Sequence, residues 1–269
     1  MAEPIMLFVV EGENRDYRFV EAMARCFFRD GRHRIAVVSV PAAQNIYMLY
    51  NRLTEDDFET DIVEVLRESV PEARVKLEGI SRNSISQTFL FFDFDPHQRN
   101  LPNNEENALD VLAKMLTVFD NETENGKLYI SYPMVEALYD YRRGQCQAFS
   151  RCFVPLSEVG AYKMIAGNNN PNASMHLDFP QWGEALEAFA LRVRCLLGLE
   201  DAGFEAYRQF VTPDRVLEAE SSLFSNNDCI FVLSAFPEFL LDYFKRDFWN
   251  SRVRMTKFKF DDCPKILTR

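Results

Sequence analysis

Two short apolar runs, each closing on carboxylates, constrain this chain more than any other feature. Residues 7–13 read Leu-Phe-Val-Val-Glu-Gly-Glu and residues 89–95 read Phe-Leu-Phe-Phe-Asp-Phe-Asp. Both are too short for a typical helix. An uninterrupted apolar run of this length marks a strand covered on both faces, as parallel strands are. In open α/β sheets, ligands gather outside the carboxyl ends of the strands. Two such strands side by side would bring Glu11, Asp93 and Asp95 to one rim. Three carboxylates there repel one another unless a cation sits between them. A hard divalent ion with oxygen ligands suits such a set, magnesium first, with manganese as its substitute. The plain alternative for each acid is a solvated loop start.

Taken in order, residues 5–10 predict a first strand, with Gly12 allowing a tight turn. Glu13 or Asn14 caps a helix on which Tyr17, Val20, Met23, Ala24 and Phe27 recur at helical spacing, and Gly31 suits its end. Residues 35–40 predict a second strand, closed by Pro41. Residues 44–52 and 58–69 predict helices, and 73–78 fit neither pattern clearly. Residues 89–95 predict the central strand, ended by Pro96. A polar loop, 97–104, leads to a helix with Leu109, Leu112, Leu116 and Phe119 on one face. Residues 121–126 predict a turn and 128–132 a further strand. Strands alternating with helices predict α/β architecture, a mostly parallel sheet flanked by helices.

After about residue 140 no regular strand alternation is found, and the expectation is a mainly helical C-terminal half. Residues 157–166 predict a short helix and 167–173 a loop. Trp182, Leu186, Phe189, Val193 and Leu196 mark an amphipathic helix ending at Gly198. Helices are also expected at 200–210, at 213–223 and from Pro237, the last carrying Phe239, Leu240, Tyr243, Phe244 and Phe248. That Phe-rich segment reads as core or as a docking face. The expected division is residues 1–140 and residues 141–269.

Composition narrows the function. The formal net charge is −11 over 269 residues, which argues against broad nonspecific binding of nucleic acid. Residues 1–140 hold 25 acids and 14 bases, whereas 141–269 hold 16 of each. Residues 245–269 hold 8 bases and 3 acids, either phosphate contacts or a solvated tail. No apolar run approaches ~18 residues, so no membrane span is expected. The N-terminus lacks the basic region of a secretory signal. Cys26, Cys146, Cys152, Cys195, Cys229 and Cys263 are scattered without a Cys-x-x-Cys, as expected of reduced thiols in a cytoplasmic protein.

The Val-Val-Glu-Gly-Glu of residues 9–13, followed by the Phe-Phe-Asp-Phe-Asp of 91–95, resembles the TOPRIM fold family. This metal-binding α/β domain is shared by topoisomerases, bacterial primases and the OLD-type and RloB-type nucleases. The resemblance makes Glu11 the metal-site glutamate and Asp93 and Asp95 the acidic pair. The Tyr-Pro-Met-Val-Glu-Ala of 132–137 resembles a further motif of the RloB-type and PARIS AriB-like phage-defence effectors. By that resemblance Glu136 is an additional acidic residue of the site, helping to bind the ion or to orient water. The likeness covers roughly residues 5–140. No topoisomerase-type nucleophilic Tyr and no primase-type zinc module is evident, which favours the nuclease branch.

Other residues have two readings each. Lys163, in Gly-Ala-Tyr-Lys-Met-Ile, either reaches a scissile phosphate and offsets charge there or snorkels to solvent. Arg142 and Arg143 either flank a phosphate channel or are solvated. Glu13 is a supporting acid or a helix N-terminal carboxylate favoured by the dipole. His97 is the one histidine near the acidic pair in sequence; His33 and His176 lie far from it.

The expected function is therefore metal-dependent hydrolysis of a nucleic-acid phosphodiester, in RNA (transfer RNA included) or DNA, with Glu11, Asp93, Asp95, Glu136 and Lys163 as site residues. By resemblance the setting is antiphage defence, the chain being the toxic effector restrained by an ATPase partner. The rival from another class is a non-catalytic partner-binding or scaffold protein whose acidic rim meets a basic surface or a structural metal. A phosphatase or nucleotide hydrolase would use the same carboxylates in a narrower pocket.

Overall fold

In the computed structural model, residues 3–12, 15–29, 34–41, 45–55, 57–97, 101, 107–141, 152–169, 177–199 and 203–253 are described. The chain divides into two compact units, Met1–Tyr129 and Ile130–Arg269.

The first unit is built on the two apolar runs. Strand β1 (Ile5–Glu11) is buried at every residue but Glu11. It lies between β2 (Arg34–Val40) and β3 (Ile85–Asp93) and runs parallel to both, with Glu11 opposite Val40 and Val10 opposite Phe91. A strand with parallel neighbours on both sides and helices over its faces meets no water along its buried length, so Ile5 through Val10 are all apolar. Beyond β3 come β5 (Gly126–Ser131) and the two-residue β4 (Asp120–Asn121), giving the order β2-β1-β3-β5-β4. The sheet is mostly parallel; the β4–β5 pair is antiparallel. On one face Phe8 stacks on Phe91 at 5.9 Å, and Phe91 on Tyr129 at 5.5 Å. These cross-strand aromatic pairs stabilise the register.

Helix α1 (Arg15–Phe27) buries Phe19, Val20, Ala22 and Met23. Its inward face is thus rotated from the expected stripe: Tyr17, Ala24 and Phe27 are half-buried, and Lys76 lies over the Tyr17 ring. Helix α2 (Ile46–Thr54) is capped by Asn45, whose side chain accepts the Met48 N–H. Helix α3 (Ile62–Ser69) is capped by Asp61 and starts later than the expected residue 58. The ambiguous stretch is helical: Pro71, pre-set for a first turn, opens α4 (Pro71–Lys76). Helix α5 (Ala108–Val118) buries Val111, Leu112, Met115 and Leu116.

The described residues of the second unit are mainly helical, with one correction to the expectation. A two-stranded antiparallel sheet joins β6 (Phe153–Pro155) to β7 (Cys229–Phe231). The segment expected as one helix at 157–166 is two, α6 (Leu156–Val159) and α7 (Tyr162–Asn169). Helix α8 (Phe179–Leu197) starts on a reciprocal cap between Asp178 and Gln181 and stops at Gly198, whose φ of +64° suits glycine. Helices α9 (Phe204–Phe210), α10 (Pro213–Asn227) and α11 (Ala235–Arg252) follow. Trp182 of α8 meets Phe236 of α11, and Tyr207 of α9 meets Trp249, so the Phe-rich α11 is core along much of its length. Lys245 kinks it, at φ 59° and ψ −147°.

Among the described residues no helix is long and apolar enough to cross a membrane. Among the described residues, Cys26, Cys152, Cys195 and Cys229 form no disulfide with one another. Cys146 and Cys263 lie outside the described residues, as do Glu13, Asn14, Gly31, His33, Arg142, Arg143, His176, most of the 97–104 loop and the basic segment from residue 254 onward.

Candidate functional site

The carboxyl ends of β1 and β3 are neighbours because the strands pair in parallel, and that pairing sets Glu11 beside Asp93. Glu11 Oε2 accepts the backbone N–H of Asp93 at 3.3 Å. Immediately after Glu11 the chain turns at Gly12, whose φ is +89° and whose N–H donates to the Val40 carbonyl at 3.0 Å. A side chain at Gly12 would be strained at this φ, and its Cβ would stand 3.7 Å from Asp16 Oδ2. The Asp16 carboxylate, in the first turn of α1, therefore lies next to Gly12 and within electrostatic reach of Glu11.

Asp16 was not expected from the sequence. It is 6% exposed, an uncommon burial for an aspartate. Burial pushes its pKa from 3.8 up to about 8; a hydrogen bond to its own backbone N–H opposes this, the Glu11 charge adds to it, and Arg15 offsets part of it. Glu11 is raised as well, by burial first, with the Asp93 N–H acting against it and the Asp95 charge adding to it. Two neighbouring acids are thus both held against ionisation, the condition that a bound cation relieves.

Asp93 is the last residue of β3 and is half-buried, Phe94 is buried, and Asp95 is exposed two residues past the strand end. Asp95 Oδ1 accepts the N–H of His97 at 3.1 Å, so His97 contributes backbone to this turn. The Asp95 carbonyl accepts the hydroxyl of Tyr47, on α2, at 3.1 Å. Burial, then the charges of Asp95 and Glu11, raise the Tyr47 pKa, which keeps the phenol a donor.

Glu136 and Lys163 belong to the second unit. Glu136 lies in a short 3-10 turn (Val135–Leu138) and is 4% exposed. Lys163, on α7, is exposed. Near them is an acid that the sequence did not single out. Asp140 is fully buried, its Oδ2 accepting the Tyr162 hydroxyl at 3.0 Å and its Oδ1 the Asn169 amide at 3.2 Å.

Among the described residues, no three His, Cys, Asp or Glu side chains form a group that could hold a metal ion by themselves. The donors at the end of β1 are all hard carboxylate oxygens. Magnesium is commonly held by one or two protein carboxylates, with water and substrate phosphate completing its shell. By donor chemistry one or two of the carboxylates of Glu11, Asp16, Asp93 and Asp95 fit such a partly protein-bound ion, and they do not suit a soft metal. No family model, no curated protein and no solved structure matches this chain.

Proposed function

We propose that the chain is a metal-dependent nuclease with a TOPRIM-like core, hydrolysing phosphodiesters of RNA or DNA. One observation carries the reading. Glu11, at the carboxyl end of a fully buried parallel strand, is hydrogen-bonded to Asp93 and electrostatically coupled to Asp16 and Asp95. Carboxylates placed so that Asp95 raises the proton affinity of Glu11, and Glu11 that of Asp16, are unfavourable for a fold that uses them only for solubility.

The chemistry a magnesium or manganese ion would supply there is Lewis-acid polarisation of a phosphoryl oxygen and activation of water as nucleophile. Glu11 and Asp95 would hold it, with Asp93 and Asp16 beside them and water and phosphate oxygen completing the shell. The Asp93 N–H orients the Glu11 carboxylate without neutralising it. By resemblance Glu136 would assist; the reading of Lys163 as a charge offset at the scissile phosphate comes from its sequence setting alone.

The acidic balance, −11 overall, suits a protein that binds nucleic acid weakly when alone. That is in keeping with a cytoplasmic antiphage effector restrained by an ATPase partner. A second reading, a non-catalytic scaffold with an acidic rim, is favoured by the lack of a self-sufficient metal-binding group among the described residues.

The deciding experiment compares the wild type with a Glu11→Ala/Asp93→Ala variant on total transfer RNA, single-stranded DNA and plasmid, with magnesium or with chelator. Cleavage that needs the ion and is lost in the variant supports the nuclease and identifies its substrate class. No cleavage by either, together with equal growth of cells expressing either version, supports the scaffold.

A further inference from the structure

Glu11 is fixed by β1, whose backbone is paired on both sides, but Asp95 has no such support. β3 ends at Asp93, and Pro96 brings no N–H to hold the next turn. Among the described residues, two hydrogen bonds secure Asp95. The one from His97 N–H is local: it orients the carboxylate relative to its own backbone. The other comes from Tyr47, 48 residues away, and it ties that backbone to α2. Tyr47 is 1% exposed, so its ring is locked in the core and its hydroxyl has little freedom of direction. The reach is directional too, a side-chain donor onto a main-chain carbonyl, which survives any change of the Asp95 side chain.

We propose that Tyr47 is a positioning residue, whose buried hydroxyl sets where the Asp95 carboxylate stands relative to Glu11 and thereby sets the affinity of this rim for a divalent cation. The inference rests on the metal-site reading above. Without the hydroxyl, Asp95 keeps, among the described residues, only the local bond from His97, and its carboxylate samples positions that do not converge with Glu11. Groups that orient ligands in this way typically change metal affinity by about 10–100-fold when removed.

The test measures Mn²⁺ binding to the full chain by the electron paramagnetic resonance signal of the free ion. The proteins are wild type, Tyr47→Phe, Asp95→Asn, the double variant, and Tyr50→Phe, which removes a hydroxyl from the same helix. Thermal unfolding of each is recorded alongside. Tyr47→Phe is expected to weaken Mn²⁺ binding roughly tenfold, at the low end of that range. Tyr50→Phe is expected to leave it unchanged. In the Asp95→Asn background, Tyr47→Phe is expected to have no further effect, because both act through one carboxylate. Wild-type affinity in Tyr47→Phe, or additive losses in the double variant, would overturn the proposal while leaving the metal site standing. No Mn²⁺ binding by the wild type would overturn the metal reading and this proposal with it.

Discussion

The backbone N–H of Asp93 donates to Glu11 Oε2 at 3.3 Å, so the last residue of β3 grips the carboxylate that ends β1. This separates the charge of Glu11 from its structural role. Glu11→Gln keeps an acceptor for that N–H and removes the charge. The variant is expected to fold with an unfolding midpoint no lower than that of the wild type, since it removes a charge that burial disfavours, and to lose metal-dependent cleavage by roughly 100-fold or more, as for a group acting directly on the chemistry. Glu11→Ala loses the same activity and about 1 kcal/mol of stability with the hydrogen bond. Parallel urea titrations and cleavage rates separate the two effects.

Asp16 gives the protein a dependence on pH whose sign follows from its burial. Its pKa is about 8 in the folded chain against an ordinary 3.8, so the folded state holds a proton that the unfolded chain releases. The stabilisation is complete below about pH 4 and is lost as pH rises through 8, at a slope of at most about 1.4 kcal/mol per pH unit. With chelator present, the urea midpoint of the wild type should fall over that window more than that of Asp16→Asn. Adding magnesium at pH 8 should restore the wild type, since a ligand that binds only the folded chain stabilises it. Equal pH profiles for the two proteins would count against the buried pair.

What the sequence disclosed about this molecule, and what it hid, has a physical pattern. β1 was legible because a strand buried between parallel neighbours must be apolar throughout, and β2, β3 and β5 as short apolar or β-rich runs. α8 was legible from its periodicity and from Gly198. β6 and β7 were not: three residues carry no periodicity, and their partners are more than seventy positions apart. Asp16 reads in sequence as an ordinary acid in a helix first turn, favoured there by the dipole; only the reversal at Gly12 brings it to Glu11. Tyr47 sits on the apolar face of α2 and reads as core, which it also is; its hydroxyl acquires a partner through the tertiary fold. Asp93 and Asp95 were legible as a pair, but the strand ends between them, leaving one half-buried and the other exposed.

Glu220 offers a second titration, within the other unit. It is fully buried on α10, and its Oε2 accepts the Phe231 N–H at 2.9 Å while Oε1 has no hydrogen-bond partner among the described residues. Burial holds its pKa well above the ordinary 4.5, only partly opposed by the Phe231 N–H. A raised folded-state pKa means stability complete below 4.5 and lost as pH rises through the folded value. Glu220→Gln stays neutral and keeps an acceptor for Phe231. It should match the wild type in acid and exceed it in stability at alkaline pH. Glu220→Ala should cost about 2–3 kcal/mol at every pH, from the cavity and the orphaned N–H. Denaturant midpoints from pH 4 to pH 9 for the three proteins decide it.

Asp140 is where the second unit joins the turn carrying Glu136 to the helix carrying Lys163. Its carboxylate accepts from Tyr162 and Asn169, at the two ends of α7, and its own carbonyl accepts Arg192 Nη2 at 2.6 Å. Asp140→Ala leaves the buried Tyr162 hydroxyl without that acceptor, a loss of about 2–3 kcal/mol. Tyr162→Phe removes the other half of the same bond and should cost less, since the remaining Asp140 still has Asn169. Because the two changes cut one interaction, their effects should fall short of additive by about 1 kcal/mol or more. The amides of α7 should exchange with solvent faster in Asp140→Ala, while those of α8, held by Trp182 and its own caps, keep their protection. Loosened α7 with intact α8 would mean that Asp140 fixes Lys163 in place; uniform loosening of both would mean that Asp140 serves the core of the unit as a whole.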